Sequence, residues 1–204
     1  MVLVYCILKP PVPFLHSKNL VCSLMISNEY GLNFIEIPFS GGDLFVDSLL
    51  ESNRDLKEGD ILLDNSIEYY NLAIIQNPYQ RAVTIYKNGM HLRKENDLKS
   101  QKLPTYFENN LNNWGELVAG DKFTSQYHYI ETYSDIDLFK YEDLIKSWHP
   151  VNEYLANIGM STIRYYTDPD VIKNWENHYQ EKEAVEIVNY IFEDDFKNLG
   201  YPKL

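Results

Sequence analysis

The sequence predicts an α/β domain built on a central, mostly parallel β-sheet with helices on both faces. Segments with strand character alternate with segments of helical spacing, which is the order that consecutive βαβ units produce. The length of 204 residues suits a single domain over residues 1–204, against a prior of roughly 150 residues per domain. With 45% hydrophobic residues, 9 glycines and 9 prolines, the composition is that of a globular protein.

The predicted strands are short apolar segments bounded by proline, glycine or polar residues. They are residues 2–8, 12–16, 34–37, 61–63, 71–76 and 136–141. The third of these ends at Pro38 and at the flexible sequence Ser40-Gly41-Gly42. This punctuation indicates a connection to a following helix rather than a longer strand.

Helices are predicted where apolar residues recur every three or four positions. They are residues 22–29, 43–52, 78–93, 104–117, 168–179 and 181–199. Gly31 is placed to stop the first of them, and Pro78 stands in the first turn of the third, where a helix tolerates proline best. Residues 93–103 are polar and are expected to form a solvated loop or helix end.

The charge balance excludes one class of partner. The chain has 18 Lys and Arg against 30 Asp and Glu, a formal net charge of -12. Duplex binding needs many cationic contacts to phosphates, so no nucleic-acid partner is expected. The overall field also repels smaller anions. A site for an anionic ligand would have to be built locally, from a helix N-terminus and a few well-placed cations.

The short apolar N-terminal run and the small number of cysteines predict a cytoplasmic protein that neither spans a membrane nor binds a metal ion. Residues 1–8 are apolar but end at Lys9-Pro10-Pro11, far short of the roughly 18 residues that a spanning helix needs. The run also lacks the basic start and cleavage site of a signal peptide. Two cysteines, Cys6 and Cys22, are too few for a zinc cluster.

The first segment that suggests chemistry follows the strand ending at His16. A short loop with Lys18 and Asn19 leads to Cys22 and Ser23, which open a predicted helix. This geometry presents backbone N–H groups, a cation and a hydroxyl to a phosphate. It is not a Walker A loop, because the glycines and the Gly-Lys-Ser/Thr order are missing. A lysine in an ordinary surface loop is the alternative interpretation.

The second segment is the junction between the strand at residues 71–76 and the next helix. The strand meets the helix through Asn77-Pro78, and Arg81 and Thr84 lie on the first turns. Both segments therefore place polar side chains where a strand ends and a helix begins, which is where α/β proteins bind ligands.

Together the two segments resemble the P-loop-like sulfotransferases, in the branch that contains the Golgi carbohydrate sulfotransferases and their smaller bacterial and viral relatives. In that family a loop of the type Pro-Lys-x-x-x-Ser/Thr-Ser/Thr holds the 5'-phosphosulfate of 3'-phosphoadenosine 5'-phosphosulfate (PAPS). A later Arg-Asp/Asn-Pro-Tyr/Phe-x-Arg-x-x-Ser-x-Tyr holds the 3'-phosphate through its leading arginine and its serine. The resemblance implies a P-loop-like three-layer sandwich. It also implies sulfuryl transfer from PAPS, without a metal, to a hydroxyl or amine, with a carbohydrate as the expected acceptor.

The resemblance covers about residues 12 to 201 and includes two later segments. These are similar to the family's Gln-containing segment with its Phe/Tyr-Glu-x-Leu, around Gln126 and Glu142, and to its closing Asp-Phe-x-x-Phe-Gly-Tyr, at residues 195–201. Carried over residue by residue, the implied cofactor-binding residues are Lys18, Asn19, Cys22, Ser23, Gln76, Arg81, Thr84 and Arg164. Lys18 and Ser23 would stabilise the transferring charge, and His128 is a candidate for the base.

Departures from the family pattern leave other functions open. Gln76 stands where the arginine for the 3'-phosphate is expected, so a charged contact becomes neutral. Leu20 and Val21 occupy positions that are usually small. The first alternative is therefore a degenerate, non-catalytic relative that binds a nucleotide, a glycan or a protein partner. A P-loop phosphotransferase is a further alternative, and the missing Gly-Lys-Ser/Thr loop disfavours it.

A working site imposes a geometric condition on the two loops. One nucleotide carries both phosphate groups, so Lys18 and Ser23 must converge with Arg81 and Thr84 on one cleft. We therefore expect the strand ending at His16 and the strand ending at residue 76 to be neighbours, with their carboxyl ends at the same edge of the sheet.

Overall fold

The computed structural model describes residues 23–52, 57–58, 68–92, 102–112, 123–163 and 174–204. Its strands are β1 (Ser23–Ser27), β2 (Leu32–Glu36), β3 (Lys57–Glu58), β4 (Tyr70–Ile75) and β5 (Asp137–Lys140). Its α-helices are α1 (Gly42–Ser52), α2 (Pro78–Leu92), α3 (Leu103–Asn112), α4 (Gln126–Ile130), α5 (Tyr141–Leu144), α6 (His149–Asn157), α7 (Lys182–Ile191) and α8 (Glu193–Asn198). A 3-10 helix covers Trp175–Tyr179.

The strands form one sheet in the order β3-β1-β2-β4-β5. β1 is antiparallel to both of its neighbours, whereas β2, β4 and β5 pair in parallel. Among the described strands, β1 alone therefore runs against the direction of the other four. The predicted α/β class with a mostly parallel sheet is confirmed.

Helices cover both faces of the sheet. Because side chains alternate between the faces along each strand, neighbouring residues of one strand belong to different cores. Ile35 and Ile75 belong to a first core, which is packed against α2, α3, α7 and α8. Phe34 and Ile74 belong to a second core, which is packed against α1, α5 and α6. β2 and most of β4 are thus buried on both sides, as expected for a sheet with helices on both faces.

The helix predicted at residues 22–29 is wrong, because this segment contains β1. Met25 pairs with Phe34 in the β1–β2 hairpin and is completely buried. Gly31, which was expected to stop a helix, instead lies in the hairpin turn with a φ of 60°. A short apolar run has no decisive periodicity. The pairing with β2 and the left-handed glycine therefore decide its conformation.

Most of the other predictions agree with the structure where it describes the chain, but the described end of the helix predicted over residues 168–179 is the 3-10 helix Trp175–Tyr179. The confirmed segments are residues 34–37 (β2), 43–52 (α1), 71–76 (β4), 78–93 (α2), 104–117 (α3, up to residue 112) and 136–141 (β5). The long helix predicted over residues 181–199 is divided into α7 and α8 at Phe192. The sequence did not predict α4, α5 or α6. The strands expected at residues 2–8, 12–16 and 61–63 lie outside the described residues.

Within the described part of the chain, no helix has both the length and the hydropathy needed to span a bilayer.

Candidate functional site

The candidate site is the edge of the sheet at which β2 and β4 end. These two strands are adjacent and parallel, and each continues into a helix that packs on one face of the sheet. Residues 37–41 form the β2–α1 loop, and Gln76 and Asn77 join β4 to α2. Ligands of open α/β sheets bind between such loops at the carboxyl ends of the strands.

The predicted phosphosulfate loop is related to this edge through Ser23. Ser23 is the first residue of β1 and pairs with Glu36 near the end of β2. Since β1 is antiparallel to β2, the chain enters β1 at the carboxyl edge of β2. Ser23 is nevertheless a strand residue and not part of a helix, and β2, not β1, is the neighbour of β4. Lys18, Asn19, Cys22 and Arg164 lie outside the described residues.

The β2–α1 loop was predicted as a connection between a strand and a helix, but not as part of the site. Phe39 has a φ of 62°, a left-handed conformation that is uncommon for a residue with a side chain. Gly41 has a φ of 85°, and a Cβ atom at this position would lie 2.5 Å from the ring of Tyr141. Ser40 Oγ donates to the carbonyl of Ile37 at 2.7 Å. The loop is therefore tightly packed and held by its own hydrogen bonds. The signal for it was the Pro38-to-Gly42 punctuation between a buried strand and a helix.

Arg81 is fully buried and donates hydrogen bonds to acceptors inside the protein. Its Nε donates to the carbonyl of Pro38 at 3.0 Å, and its Nη1 donates to the carbonyl of Thr124 at 2.9 Å. The guanidinium carbon also lies 5.2 Å from the centre of the Phe192 ring, within the range of a cation–π contact. Burial lowers the pKa of Arg81. Its side chain thus fastens the β2–α1 loop to the segment that precedes α4.

The side-chain amide of Gln126 forms hydrogen bonds with the backbone of Gln76, the residue that follows β4. Its Oε1 accepts from the N–H of Gln76 at 2.8 Å, and its Nε2 donates to the carbonyl of Gln76 at 2.7 Å. The same Nε2 donates to Oδ2 of Asp195 at 3.2 Å. Oδ1 of Asp195 accepts from Ser125 Oγ and from the N–H of Tyr127. Two segments of the family resemblance therefore meet in one buried polar network.

The backbone of Gln76 forms hydrogen bonds through both its N–H and its carbonyl, whereas its side-chain oxygen has no hydrogen-bond partner among the described residues. The residue is 1% exposed, yet its Oε1 atom has no hydrogen-bond partner in the part of the chain that the structure describes. Buried acceptors are nearly always paired in folded proteins. Among the described residues, the oxygen of Gln76 is therefore an acceptor without a partner at the carboxyl end of β4.

Glu142 forms a second polar centre beside the first turn of α2. Its Oε1 accepts from the N–H of Asn77, and its Oε2 accepts from the hydroxyl of Tyr201 at 3.2 Å. The amide of Gln80, in the orientation that satisfies both neighbours, donates to Glu142 Oε1 at 2.8 Å and accepts from Trp175 Nε1 at 2.8 Å. Burial raises the pKa of Glu142. This carboxyl group joins α2, α5 and the C-terminal residues.

Two predicted site residues are engaged within their own helices. Thr84 Oγ1 donates to the carbonyl of Gln80 one turn earlier, at 3.2 Å. His128, the candidate base, has its Nδ1 atom 2.9 Å from Oε1 of Glu131, and its side chain is 41% exposed. The geometry gives neither residue a contact with the buried network around Gln76.

No protein-family model, curated protein or solved structure significantly matches the chain. Over the described ranges, no group of three or more His, Cys, Asp and Glu side chains is arranged to hold a metal ion. The local geometry at the ends of β2 and β4, together with the motif resemblance, is therefore the basis on which a function is assigned.

Proposed function

We propose that the chain is a P-loop-like, sulfotransferase-like domain that binds a ligand at the carboxyl edge of β2 and β4 without transferring a sulfuryl group. The observation that carries this proposal concerns the residues at that edge that the family pattern would use to bind an anion. Gln76 is neutral, and Arg81 is buried in internal hydrogen bonds.

The acidic residues near the two helix N-termini support the same function. Asp43 lies in the first turn of α1, and Glu142 accepts the hydrogen bond of Asn77 at the start of α2. Helix N-termini favour anions through their partial positive charge. Here a carboxyl group of the protein already lies at each of them. With a net charge of -12, the surrounding field also opposes a doubly phosphorylated nucleotide.

The test is a calorimetric titration of the full chain with adenosine 3',5'-bisphosphate, paired with an assay for sulfuryl transfer from PAPS to sugar acceptors. We expect no saturable heat of binding and no transferred sulfate. Turnover of PAPS would contradict the proposal directly, and saturable binding of the bisphosphate would contradict the argument that this edge opposes a doubly phosphorylated nucleotide.

An active PAPS-dependent sulfotransferase is the second candidate, and one observation favours it. Ser23 lies at the edge where β2 ends, five residues after Lys18 in the sequence. In this case Lys18→Ala weakens binding of the bisphosphate by about 1.5–3 kcal/mol, the range for hydrogen bonds to charged groups. An unchanged affinity in a folded Lys18→Ala variant excludes this role for Lys18.

A further inference from the structure

We propose that the outer edge of β5, the edge that faces away from β4, binds an extended, lysine-rich segment of another protein, which adds to the sheet as a further strand. The binding surface is formed by β5 (Asp137–Lys140) and by the neighbouring helices α5 and α6. Its residues are not those of the candidate site at the ends of β2 and β4, so its occupant does not depend on the function proposed above.

β5 is the last strand of the described sheet on the side of β4. It pairs in parallel with β4 from Asp137 to Lys140, and the part of the chain that the structure describes supplies no strand on its other side. Asp137 is exposed, and Leu138 keeps 38% of its surface accessible. On an edge strand, every second residue directs its N–H and its carbonyl away from the sheet. The outer edge of β5 therefore offers unpaired backbone groups to a further strand.

A pocket of about 270 Å³ lies beside this edge. Leu138, Phe139 and Lys140 all line it. Because successive side chains of a strand point to opposite faces, a pocket that touches three consecutive residues lies along the edge of the strand and not over one face. Leu144 of α5 and Pro150 of α6 add apolar lining. An added strand would thus find backbone hydrogen bonds and, next to them, a recess for an apolar side chain.

Two aspartates give the outer edge a negative charge. Asp135 and Asp137 are exposed at the start of β5. Over the described ranges, neither side chain forms an ion pair with a lysine or an arginine. Opposite charges on neighbouring strands stabilise their pairing, whereas like charges destabilise it. An incoming strand that carries lysines is therefore favoured over one that carries acidic residues.

The two lysines near this surface are engaged within the chain. Nζ of Lys140 lies 4.7 Å from the centre of the Tyr201 ring, which is within the range of a cation–π contact. Nζ of Lys146 lies 3.1 Å from Oδ1 of Asp143. The charges of Asp135 and Asp137 are therefore left for an incoming strand.

A second copy of the chain fits this edge poorly. Two copies with a formal net charge of -12 each repel one another. Directly opposite residues of two strands share a face of the sheet, and the two-fold axis that relates two antiparallel copies of β5 preserves the faces. Asp137 of one copy therefore cannot lie opposite Lys140 of the other, because these residues point to different faces. A basic segment of a different protein meets neither obstacle.

The experiment uses a fluorescent peptide of alternating lysine and valine, and a peptide of alternating glutamate and valine as its counterpart. Each is titrated with the full chain and followed by fluorescence anisotropy. We expect saturable binding of the lysine peptide that weakens as salt increases, and no saturable binding of the glutamate peptide. Hydrogen exchange at amides of β5 should slow when the lysine peptide is bound, because an added strand pairs with them.

Two substitutions on β5 have matched controls on α1. Leu138→Ser removes an apolar side chain from the pocket lining, and Leu50→Ser removes a leucine of equal exposure from α1. Asp137→Asn is compared with Asp47→Asn, which changes an exposed aspartate of α1. We expect each β5 variant to raise the Kd of the lysine peptide about fivefold, and each control to leave it unchanged. All four side chains are exposed, so the variants should remain folded.

Four results would overturn the proposal. The lysine peptide fails to bind, or the glutamate peptide binds as tightly, or the β5 variants bind the lysine peptide as the parent chain does, or the amides of β5 exchange at the same rate with and without the peptide. A dimer in analytical ultracentrifugation that Leu138→Ser dissociates, and that Leu50→Ser does not, would assign the edge to a second copy of the chain instead.

Discussion

Glu142 and Asp195 are carboxyl groups that join segments distant in sequence. Asp195 on α8 accepts hydrogen bonds from Ser125, Gln126 and Tyr127. Glu142 links the start of α2 to the C-terminal residues. Burial raises the pKa of both groups, although their hydrogen bonds favour the ionised form. Each group therefore binds its proton more tightly in the folded protein than in the unfolded chain.

This difference predicts that the free energy of unfolding depends on pH and that Glu142→Gln weakens this dependence. Where the folded-state pKa of a carboxyl group is raised, the folded protein binds more protons than the unfolded chain. The free energy of unfolding then falls as the pH rises from the unfolded pKa through the folded pKa. Glu142→Gln removes one such group, so we expect a smaller loss of unfolding free energy as the pH rises above 4.5 than in the parent chain.

Urea unfolding at several pH values measures this effect. Glu153→Gln, on the exposed surface of α6, is the matched control and should keep the pH dependence of the parent. If Glu142→Gln and Glu153→Gln gave the same pH profile, Glu142 would not be a source of the dependence.

The β2–α1 loop depends on the absence of a side chain at Gly41. Gly41 and Gly200 both have a positive φ, 85° and 71°, but an added Cβ at Gly200 meets no atom within 4 Å. Gly200→Ala should therefore cost only the left-handed backbone strain, about 1–2 kcal/mol. Gly41→Ala should cost more, because its Cβ overlaps the ring of Tyr141.

The free energy of unfolding in urea separates the two costs. Adding Tyr141→Leu to Gly41→Ala should recover part of the lost stability, since it removes the ring atoms that overlap the new Cβ. Equal losses for Gly41→Ala and Gly200→Ala would show that the contact with Tyr141 does not constrain the loop.

Elements whose apolar residues recur at regular spacing, or that begin or end at proline or glycine, were predictable from the sequence. Elements whose conformation depends on pairing with another strand were not. α2 has apolar residues on one face and a proline in its first turn, and β4 is an apolar run that ends at Asn77-Pro78. β1 is equally apolar but too short to show a period, so its partner β2 determines its conformation. The importance of residue 76 was visible in the sequence. The position of the β2–α1 loop beside it depends on strand order, which local sequence does not encode.

At the scale of the whole molecule, the dominant electrostatic feature is the excess of acidic residues. A formal net charge of -12 places repulsive interactions throughout the folded chain, and these are weaker when the chain expands. Added salt screens them, with a Debye length of about 10 Å at 0.1 M ionic strength and about 3 Å at 1 M.

We therefore expect the urea midpoint of unfolding to rise as sodium chloride increases from about 0.05 M to about 0.5 M. The slope of the unfolding free energy against urea should stay constant, because the surface exposed on unfolding is the same. A midpoint that is unchanged, or that falls with salt, would mean that attractive ion pairs outweigh the net repulsion.

The antiparallel hairpin also affects the cost of building the sheet. β1 and β2 are joined by the turn at residues 28–31, whereas β2 and β4 are separated by the whole segment between residues 36 and 70. The conformational entropy lost on closing a loop increases with its length. The hairpin therefore gains its hydrogen bonds at a smaller entropic cost than the parallel pairs. The pairing of β1 with β2 therefore depends less on distant parts of the chain than the parallel pairs do.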